Sequence, residues 1–415
     1  MAEARLEQVH RRCCGLDVHK DTVVGCVRVS DGPASVEEVR TFPTTTRGIL
    51  ELGDWLAERQ VTIAAMESTG VYWKPLWNLL EDRFSLMLVN ARHIKQVPGR
   101  KTDVKDCQWI AQLLACGLLN ASFVPDRPQR ELRDLTRQRA QLIQGRAQVA
   151  NRIQKVLEDA NIKLGSVASD VLGASGRDML AALIEGKQSP EQMAQLARYR
   201  LRVKIPQLTE ALRGGFNDHH RFMLKSLLSQ VDHFGNQIES FDERIEQVMP
   251  PFFKAVITTM DEIPGFDRRA AQNVLAEIGA DMSRFPSGAH LASWAGVCPG
   301  NNQSAGKRRS GRVTEGNRWL KRTLTQCAYA ASRCKASYFR AQFHRVSKRR
   351  GCKRATLAVA HSQLRVVYEL LRHNLKYKDL GVDYFDKLQG ERYKSRLVKG
   401  LEKMGYKVTL EPQAA

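Results

Sequence analysis

Hydrophobic and polar positions follow two different periods in the first third of the chain, and these mark strands and helices in turn. Short apolar runs bounded by Gly, Pro, Asp or Ser predict strands, and apolar residues three or four apart predict helices with one buried face. The predicted order is β-β-β-α-β-α-β-α, which favours an α/β layer with a mixed sheet. Strands are predicted within 12–30 (two strands and a tight turn), 36–41, 61–66 and 84–89, and helices at 46–59, 70–80 and, after a basic loop, within 89–114.

Two long helices are predicted in the middle of the chain, at Gln129–Leu164 and Asp218–Met249. Apolar residues recur every seven positions in both, which predicts a coiled-coil arm formed within one chain or between chains. Residues 165–217 predict a small helical insert without recognisable chemistry. The heptad positions are Leu135, Leu142, Val149 and Val156 in the first helix, and Leu224, Val231, Ile238 and Ile245 beside Leu227, Phe234, Phe241 and Val248 in the second.

The region after Pro250-Pro251 is predicted to be helical. Helices at Phe252–Asp261 and Asp267–Ile278 flank a glycine-bearing turn, typical of a helix-hairpin-helix element or of a plain αα-hairpin. A short helix at 290–295, a loop at Pro299–Gly311 and a last apolar helix at 355–371 follow. The predicted fold class is therefore multidomain, α/β plus all-α: a mixed-sheet domain (1–127), an arm with its insert (128–250), a helical domain (251–385) and a basic tail (386–415).

Composition and charge indicate the kind of partner. The 415 residues include 43% hydrophobic ones, enough for real cores, and carry a net charge of +21, which favours nucleic acid. No apolar run approaches the roughly 18 residues of a membrane-spanning helix, and the N-terminus lacks the apolar segment of a signal peptide. Nine scattered cysteines without a CxxC pair predict reduced cytosolic thiols.

Two stretches carry the positive charge that a nucleic acid would contact. One is the loop before the third predicted helix, and the other begins at residue 307, where Glu315 is the sole acid up to residue 354. A solvated helix face would mix both signs, so this imbalance predicts a polyanion-binding surface. The residues predicted to bind nucleic acid are Lys95, Arg100, Lys101, Lys307, Arg308, Arg309, Arg312, Arg318, Lys321 and Arg322.

Four carboxylates occupy informative places on this map. Asp17 ends the first strand, Glu67 ends the fourth, and Asp103 and Asp106 lie three apart on one helix face. Sites collect at strand ends in α/β sheets, and converging carboxylates favour Mg²⁺. The alternative is that they are ordinary turn and helix-start charges. Asp21 is interpreted as a turn cap, and His19 as a surface histidine in preference to a phosphate contact. The order of elements and acids resembles the RNase H-like fold in its RuvC-like nuclease branch.

The combined motifs resemble one family, the DEDD transposases of insertion sequences that act as RNA-guided (bridge or seeker RNA) recombinases. The motifs are GLDVHK, AMESTG, KTDVKDCQWIAQLL and WAGVCPGNNQSAGKRRSGR followed by GNRWLKR. The resemblance implies that Asp17, Glu67, Asp103 and Asp106 are catalytic and bind Mg²⁺ (or Mn²⁺), and that Ser304 is the nucleophile. Because the family's loop often has SGG or SGS where this chain has Ser-Ala-Gly, Ser310 remains an alternative.

The resemblance also implies partners and a mechanism. The expected substrates are double-stranded DNA at the element ends and at the target, with a structured guide RNA. Strands are cut and rejoined through a 5′-phosphoserine intermediate, with the acids of one protomer acting beside Ser304 of another in a dimer or tetramer. No membrane association is expected, and the implied location is the cytoplasm of a bacterial-type cell, at the nucleoid.

Two rival functions remain. A RuvC-like Mg²⁺-dependent endonuclease or junction resolvase would use water as nucleophile, so that the Ser304→Ala variant would still cleave. A non-catalytic nucleic-acid-binding protein would explain the charge alone and would tolerate loss of the acids, but it leaves their paired positions unexplained.

Overall fold

A five-stranded mixed sheet forms the core of the first of two compact units, residues 1–125 and 126–415. The structure is a computed structural model that describes residues 8–30, 35–68, 70–90, 106–300, 302–304, 306–313 and 315–410. The strand order is β3-β2-β1-β4-β5, with β1 antiparallel to β2 and parallel to β4. The predicted mixed α/β layer is confirmed. Its elements are β1 (Arg12–Val18), β2 (Thr22–Val29), β3 (Val36–Pro43), α1 (Thr46–Glu58), β4 (Ile63–Glu67), α2 (Trp73–Leu80), β5 (Ser85–Val89) and α3 (Asp106–Ala115).

The central strand β1 is buried on both faces, because helices cover both sides of the sheet. Its successive side chains point to these two sides in turn. Leu16 packs into the apolar cluster of α1 and α2, whereas Cys13 packs with the apolar residues of α3. Gly15 lies on the α3 side, where a Cβ atom would come within 2.1 Å of the Cys107 carbonyl oxygen and 2.4 Å of the Ala111 nitrogen. Helix α3 therefore rests with its backbone directly against β1.

The two long helices of the second unit pair antiparallel within one chain. His220 contacts Asp159 at 3.0 Å near one end of the pair, and Arg139 contacts Asp242 at 2.7 Å farther along. Pairing within one chain is thus observed, while pairing between chains and the coiled-coil assignment itself stay predictions. The helices are α4 (Arg127–Asp159) and α9 (Asp218–Val248). Helix α4 therefore ends five residues before its predicted end at Leu164.

The buried face of these helices matches one predicted heptad row in α9 and departs from the prediction in α4. The row Leu224, Val231, Ile238 and Ile245 is fully buried in α9, whereas Leu227 is the one buried member of the second predicted row. In α4 only Val149 of the predicted row is buried, and the buried face runs instead through Leu132, Thr136, Arg139, Ile153 and Leu157. The predicted row of α4 is thus only partly in the interior: Leu135 and Val156 pack half-buried against the apolar cores, while the charged Arg139 is fully buried.

Residues 160–217 form a compact helical insert at the end of this helical pair. Its apolar core includes Leu180 and Leu208 and is continuous with Ile153 of α4 and Leu224 of α9. Helix α7 begins with a capping box between Ser189 and Gln192. The elements are α5 (Leu164–Val167), α6 (Ala174–Glu185), α7 (Pro190–Ala194), a 3₁₀ helix (Tyr199–Lys204) and α8 (Ile205–Ala211).

The remaining helices pack around one apolar core that also includes Leu132 of α4. The predicted last apolar helix is present, but a further helix, α16, follows it in the tail. The elements are α10 (Pro251–Asp261), α11 (Arg268–Ile278), a 3₁₀ turn (Met282–Arg284), α12 (Gly288–Trp294), β6 (Asn302–Ser304), β7 (Lys307–Ser310), α13 (Arg318–Ala331), α14 (Tyr338–Arg350), α15 (Cys352–His373) and α16 (Tyr384–Lys403).

The turn between α10 and α11 is packed into this core. Gly265 has φ +89°, and a Cβ atom there would lie 2.2 Å from the Cys327 carbonyl oxygen of α13. Phe266 is buried, and Gln363 donates a hydrogen bond to the Pro264 carbonyl at 2.9 Å. The glycine backbone faces a helix, so this geometry favours a plain αα-hairpin over a phosphate-binding helix-hairpin-helix element.

Two further observations concern the cysteines and the possibility of membrane-spanning helices. All nine cysteines are free thiols, with Cys13, Cys14, Cys26, Cys107 and Cys327 buried. Within the part of the chain that the structure describes, no helix is both long and apolar enough to cross a membrane.

Candidate active site

Two of the four predicted acids lie side by side at the carboxyl edge of the sheet. Asp17 is the penultimate residue of β1, and Glu67 is the last residue of β4. Leu16 of β1 is paired with Met66 of the parallel strand β4, so Asp17 and Glu67 are the next residues in register. Both side chains are half-buried. The edge where parallel strands end is the usual place for a ligand site in an α/β sheet.

Helix α3 brings a third acid to this edge. Asp106 is its first residue and is exposed. The close contact at Gly15, two residues before Asp17 on the same face of β1, fixes where α3 begins relative to the strand end. Asp103, the fourth predicted acid, lies outside the described residues, as do Lys95, Arg100 and Lys101.

The pKa of Asp17 is affected by its burial and by the charges of the other two acids. Burial raises the pKa of its carboxyl group above the usual range, and the nearby charges of Asp106 and Glu67 raise it further. His19 acts in the opposite direction, since its Nε2 atom lies 3.1 Å from Asp17 Oδ2. His19 was interpreted as an ordinary surface histidine, and its contact with Asp17 was missed. The only available signal was its position two residues after the strand-end acid.

The chemistry of this acid group fits a hard divalent cation. Carboxylate oxygens are the ligands that Mg²⁺ and Mn²⁺ prefer, and a cation would relieve the repulsion that raises the pKa of Asp17. Among the residues placed by the structure, no three His, Cys, Asp or Glu side chains are close enough together to form a complete metal site. Asp17, Glu67 and Asp106 therefore do not form a complete metal site among the described residues, and the predicted fourth acid, Asp103, lies outside them.

Ser304 ends the first strand of a small hairpin in the second unit. The predicted loop at 299–311 was wrong in this respect, because residues 302–304 and 307–310 form the antiparallel strands β6 and β7. Ser304 is paired with Lys307 across the tip, and Gly306 at the turn has φ +75°. The register shifts between Asn302 and Gln303. Bulges of this kind re-aim the side chains that follow them; the side chains of 302–304 and 308–310 lie outside the description.

The base of this hairpin is tied to the helices around it. The Gly300 N–H donates to the Arg312 carbonyl at 3.0 Å, which closes the hairpin. Asn317 then caps α13, with its side-chain oxygen accepting from the Trp319 and Leu320 N–H groups at 3.0 and 3.1 Å. The hairpin therefore projects from a fixed helix start.

Glu277 is a buried carboxylate that sequence reasoning missed. It is 2% exposed, accepts two hydrogen bonds from Arg137 at 2.7 and 2.8 Å, and accepts one from the Asn317 side chain at 2.6 Å. It therefore joins α11 to α4 and to the cap of α13. A glutamate near the end of an amphipathic helix gives no sequence signal for such a role.

The basic residues predicted near the hairpin are found at its strands and on the first turns of α13. Lys307 and Arg312 are exposed, and the Arg318 guanidinium lies 5.0 Å from the Trp319 ring centroid. The Arg322 side chain donates to Gln144 Oε1 at 2.8 Å. The backbones of Arg308 and Arg309 belong to β7, and Lys321 is half-buried on α13.

Comparison with known proteins gives matches at both ends of the chain. A family model described as a transposase, of the DEDD type named for IS110, matches residues 14–162. A second, described as "Transposase IS116/IS110/IS902 family", matches residues 258–344. The first range contains the four predicted acids, and the second contains Ser304.

Two curated relatives agree with these matches. An "Insertion element IS110 uncharacterized 43.6 kDa protein" from Streptomyces coelicolor is 26% identical over 307 residues, which cover 68% of this chain and 73% of the relative. A "Putative transposase y4qE" from Sinorhizobium fredii is 25% identical over 247 residues, 57% of this chain and half of the relative's length. With two models of the same transposase family matched in chain order, the chain is an IS110-family transposase.

Proposed function

We propose that this transposase cuts and rejoins DNA strands through a covalent bond between Ser304 and a DNA phosphate, assisted by a divalent metal ion. Asp17, Glu67, Asp103 and Asp106 would hold the ion, Mg²⁺ or Mn²⁺. The single observation that carries the proposal is the placement of Asp17 and Glu67 side by side where the parallel strands β1 and β4 end, with Asp106 near enough to help raise the pKa of Asp17, which burial raises most. The RuvC-like assignment of the first unit is part of this proposal, and the five-stranded mixed sheet is consistent with it.

The proposed reaction balances as a transesterification. The Ser304 hydroxyl attacks the scissile phosphorus and loses its proton, while the bond from phosphorus to the 3′ oxygen breaks and releases a 3′-hydroxyl. A 3′-hydroxyl of the partner strand then attacks the 5′-phosphoserine and frees Ser304. A bound divalent ion supplies charge stabilisation on the phosphate oxygens. Serine is a weak nucleophile at its free pKa, and the exposed Lys307 next to it in the hairpin adds favourable charge.

The test of the nucleophile is a covalent adduct. Wild-type protein incubated with a labelled duplex carrying the element end should give a protein–DNA band that survives denaturing electrophoresis. Ser304→Ala should abolish both the band and strand joining, while Ser310→Ala, on the facing strand of the same hairpin, should retain them. Normal cleavage by Ser304→Ala without any adduct would instead support water as nucleophile.

The test of the metal site is direct binding of Mn²⁺, which is visible by electron paramagnetic resonance without DNA. Asp17→Asn and Asp106→Asn should each weaken Mn²⁺ binding. Asp54→Asn is the matched control, because Asp54 is an exposed acid of the same unit that pairs with Arg83. Equal Mn²⁺ binding by all three variants would refute the assignment.

Guidance by a structured RNA and assembly into a dimer or tetramer belong to the same proposal. They rest on the resemblance of the motifs and on the net charge of +21. We propose that the acids of one protomer act with Ser304 of another. Mixing Asp106→Ala protein with Ser304→Ala protein should then restore part of the strand joining that each lacks alone. If the mixture stays inactive while the two chains co-assemble, the shared arrangement is wrong.

A further inference from the structure

The helical insert packs on α4 and α9 beyond the helical body of the second unit. Arg269 of α11 in that body pairs with Asp242 of α9, whereas Arg177 of the insert pairs with Asp232, ten residues earlier in α9. At 1.5 Å per helical residue, these two contacts are about 15 Å apart along α9. The insert is therefore carried on an arm.

One segment of the insert, Arg198–Lys204, combines positive charge with exposed apolar side chains; we call it the arm tip. Its sequence, RYRLRVK, has four cations and no acid. The Tyr199 and Val203 side chains are 89% and 87% exposed. The arm tip contains a whole 3₁₀ helix, Tyr199–Lys204, in which no residue is fully buried, and Leu201 packs half-buried against the core of the insert. The exposed tyrosine, valine and arginine side chains contribute nothing to that core.

The cations of the arm tip differ in their partners. Arg198 pairs with Asp178, and Lys204 donates to the Val167 carbonyl at 3.1 Å. Arg200 and Arg202 are exposed and form no ion pair or side-chain hydrogen bond with any residue that the structure describes. Two guanidinium groups thus remain unneutralised and accessible, close to the exposed tyrosine.

The backbone at Tyr199 is strained. Its φ of +49° lies in the left-handed region that residues other than glycine rarely adopt. Such a conformation costs on the order of 1 kcal/mol or more, and the Tyr199 ring makes no packing contact that would offset it, being 89% exposed. Strained, exposed residues of this kind concentrate at binding sites.

We propose that the arm tip is a docking site for the phosphate backbone of duplex DNA. Arg200 and Arg202 would each contact a phosphate, and the Tyr199 hydroxyl would donate to a third, since arginine and tyrosine are common backbone contacts. The contact carries no base specificity. The choice of duplex DNA rests on the transposase family and on charge complementarity. It does not require Ser304 or the metal site, so it survives if either of those assignments fails.

The experiment measures binding of full-length protein to a duplex of about 40 base pairs, roughly four helical turns, by fluorescence anisotropy over a range of KCl concentrations. Each lost phosphate contact lowers the slope of log K against log salt by about 0.9. Arg200→Ala with Arg202→Ala should therefore lower it by about 1.8 and weaken binding about 30-fold near 0.15 M salt. Ser304→Ala in every variant prevents covalent capture.

Two further variants make the result specific. Arg213→Ala removes one positive charge from the same insert, half of what the double variant removes, but Arg213 is already paired with Glu191 at 2.9 Å and with Glu210, so its slope should match wild type. Tyr199→Gly removes the strain, so it should melt no lower than wild type and still bind DNA more weakly.

Three outcomes would overturn the proposal. One is an unchanged salt slope in the Arg200, Arg202 double variant. Another is an equal loss of slope per removed charge in Arg213→Ala, which would indicate only a general charge effect. The third is a loss confined to a structured RNA of equal charge, or to self-association measured by sedimentation, which would assign the arm tip to a different partner.

Discussion

Replacing Glu277 by alanine tests whether one buried carboxylate couples the arm to the start of the hairpin-bearing region. Glu277 is 2% exposed and contacts Arg137, Arg133 and Asn317. Burial lowers the pKa of Arg133 to about 10, so that its guanidinium is still charged at neutral pH. The Glu277→Ala variant would therefore leave positive charge buried without its carboxylate partner, while Arg133 keeps its hydrogen bonds to the backbone carbonyls of residues 276 and 277.

The magnitude follows from this geometry. Removing one partner of a buried ion pair costs about 3 to 5 kcal/mol. Arg133 is 11% exposed and would carry most of that cost, whereas Arg137 is 30% exposed, so water would solvate part of its charge. We expect a loss of about 3 kcal/mol for Glu277→Ala and about half of that for Glu277→Gln, which keeps an acceptor for Asn317.

Hydrogen exchange of the full chain, read segment by segment, measures this loss because it gives an opening free energy for each helix. Helices α11 and α13 should lose protection in Glu277→Ala, while the sheet of the first unit serves as an internal control. Glu262→Ala, an exposed acid at the end of α10, is the matched variant and should stay within about 0.5 kcal/mol of wild type. A change below about 1 kcal/mol in α13 for Glu277→Ala would refute the reasoning.

Three further changes test other parts of the structure. Gly15→Ala places a Cβ atom 2.1 Å from a backbone oxygen of α3, so calorimetry should show about 1 to 3 kcal/mol of destabilisation and Mn²⁺ titration should show weaker binding. Gly235→Ala enters open space in α9, and urea denaturation should show up to about 1 kcal/mol of added stability. The hydrogen bond from Arg59 lowers the pKa of Glu38 from 4.5 to about 2. Its stabilisation is present above pH 4.5 and lost as pH falls towards 2, so the stability difference between wild type and Glu38→Gln should shrink over that window.

The sheet and three of the acids could be predicted from sequence because their signals are local. Apolar runs identify β1, β4 and β5. An acid that follows or ends such a run lies at the edge of the sheet, because the strand itself ends there. The face of α4 could not be predicted, because Arg139 is buried by partners on other helices, Asp242, Gln272 and Asn273. A buried arginine has the same sequence signal as a surface one.

The hairpin and Glu277 were missed for a related reason. Strands β6 and β7 read NQS and KRRS, without the β-branched or aromatic residues that mark a strand. They pair with each other across a glycine turn, and the Gly300 N–H closes their base by donating to the Arg312 carbonyl. Glu277 acquires its role only when α4 and α13 are packed against α11. Long-range contacts of this kind have no period in the sequence.

The contact at Gly15 also bears on how far the protein can be altered without loss of its chemistry. Atoms of Cys107 and Ala111, one helical turn apart, both lie beside the missing Cβ, so the strand sits in a notch of the helix backbone. A backbone notch does not depend on which side chains the helix carries. Engineers could vary the exposed positions of α3, such as Gln112, and keep the spacing between Asp17 and Asp106. Gly15 itself could not be varied, because any larger residue would clash with the backbone of α3 and push the helix away from β1.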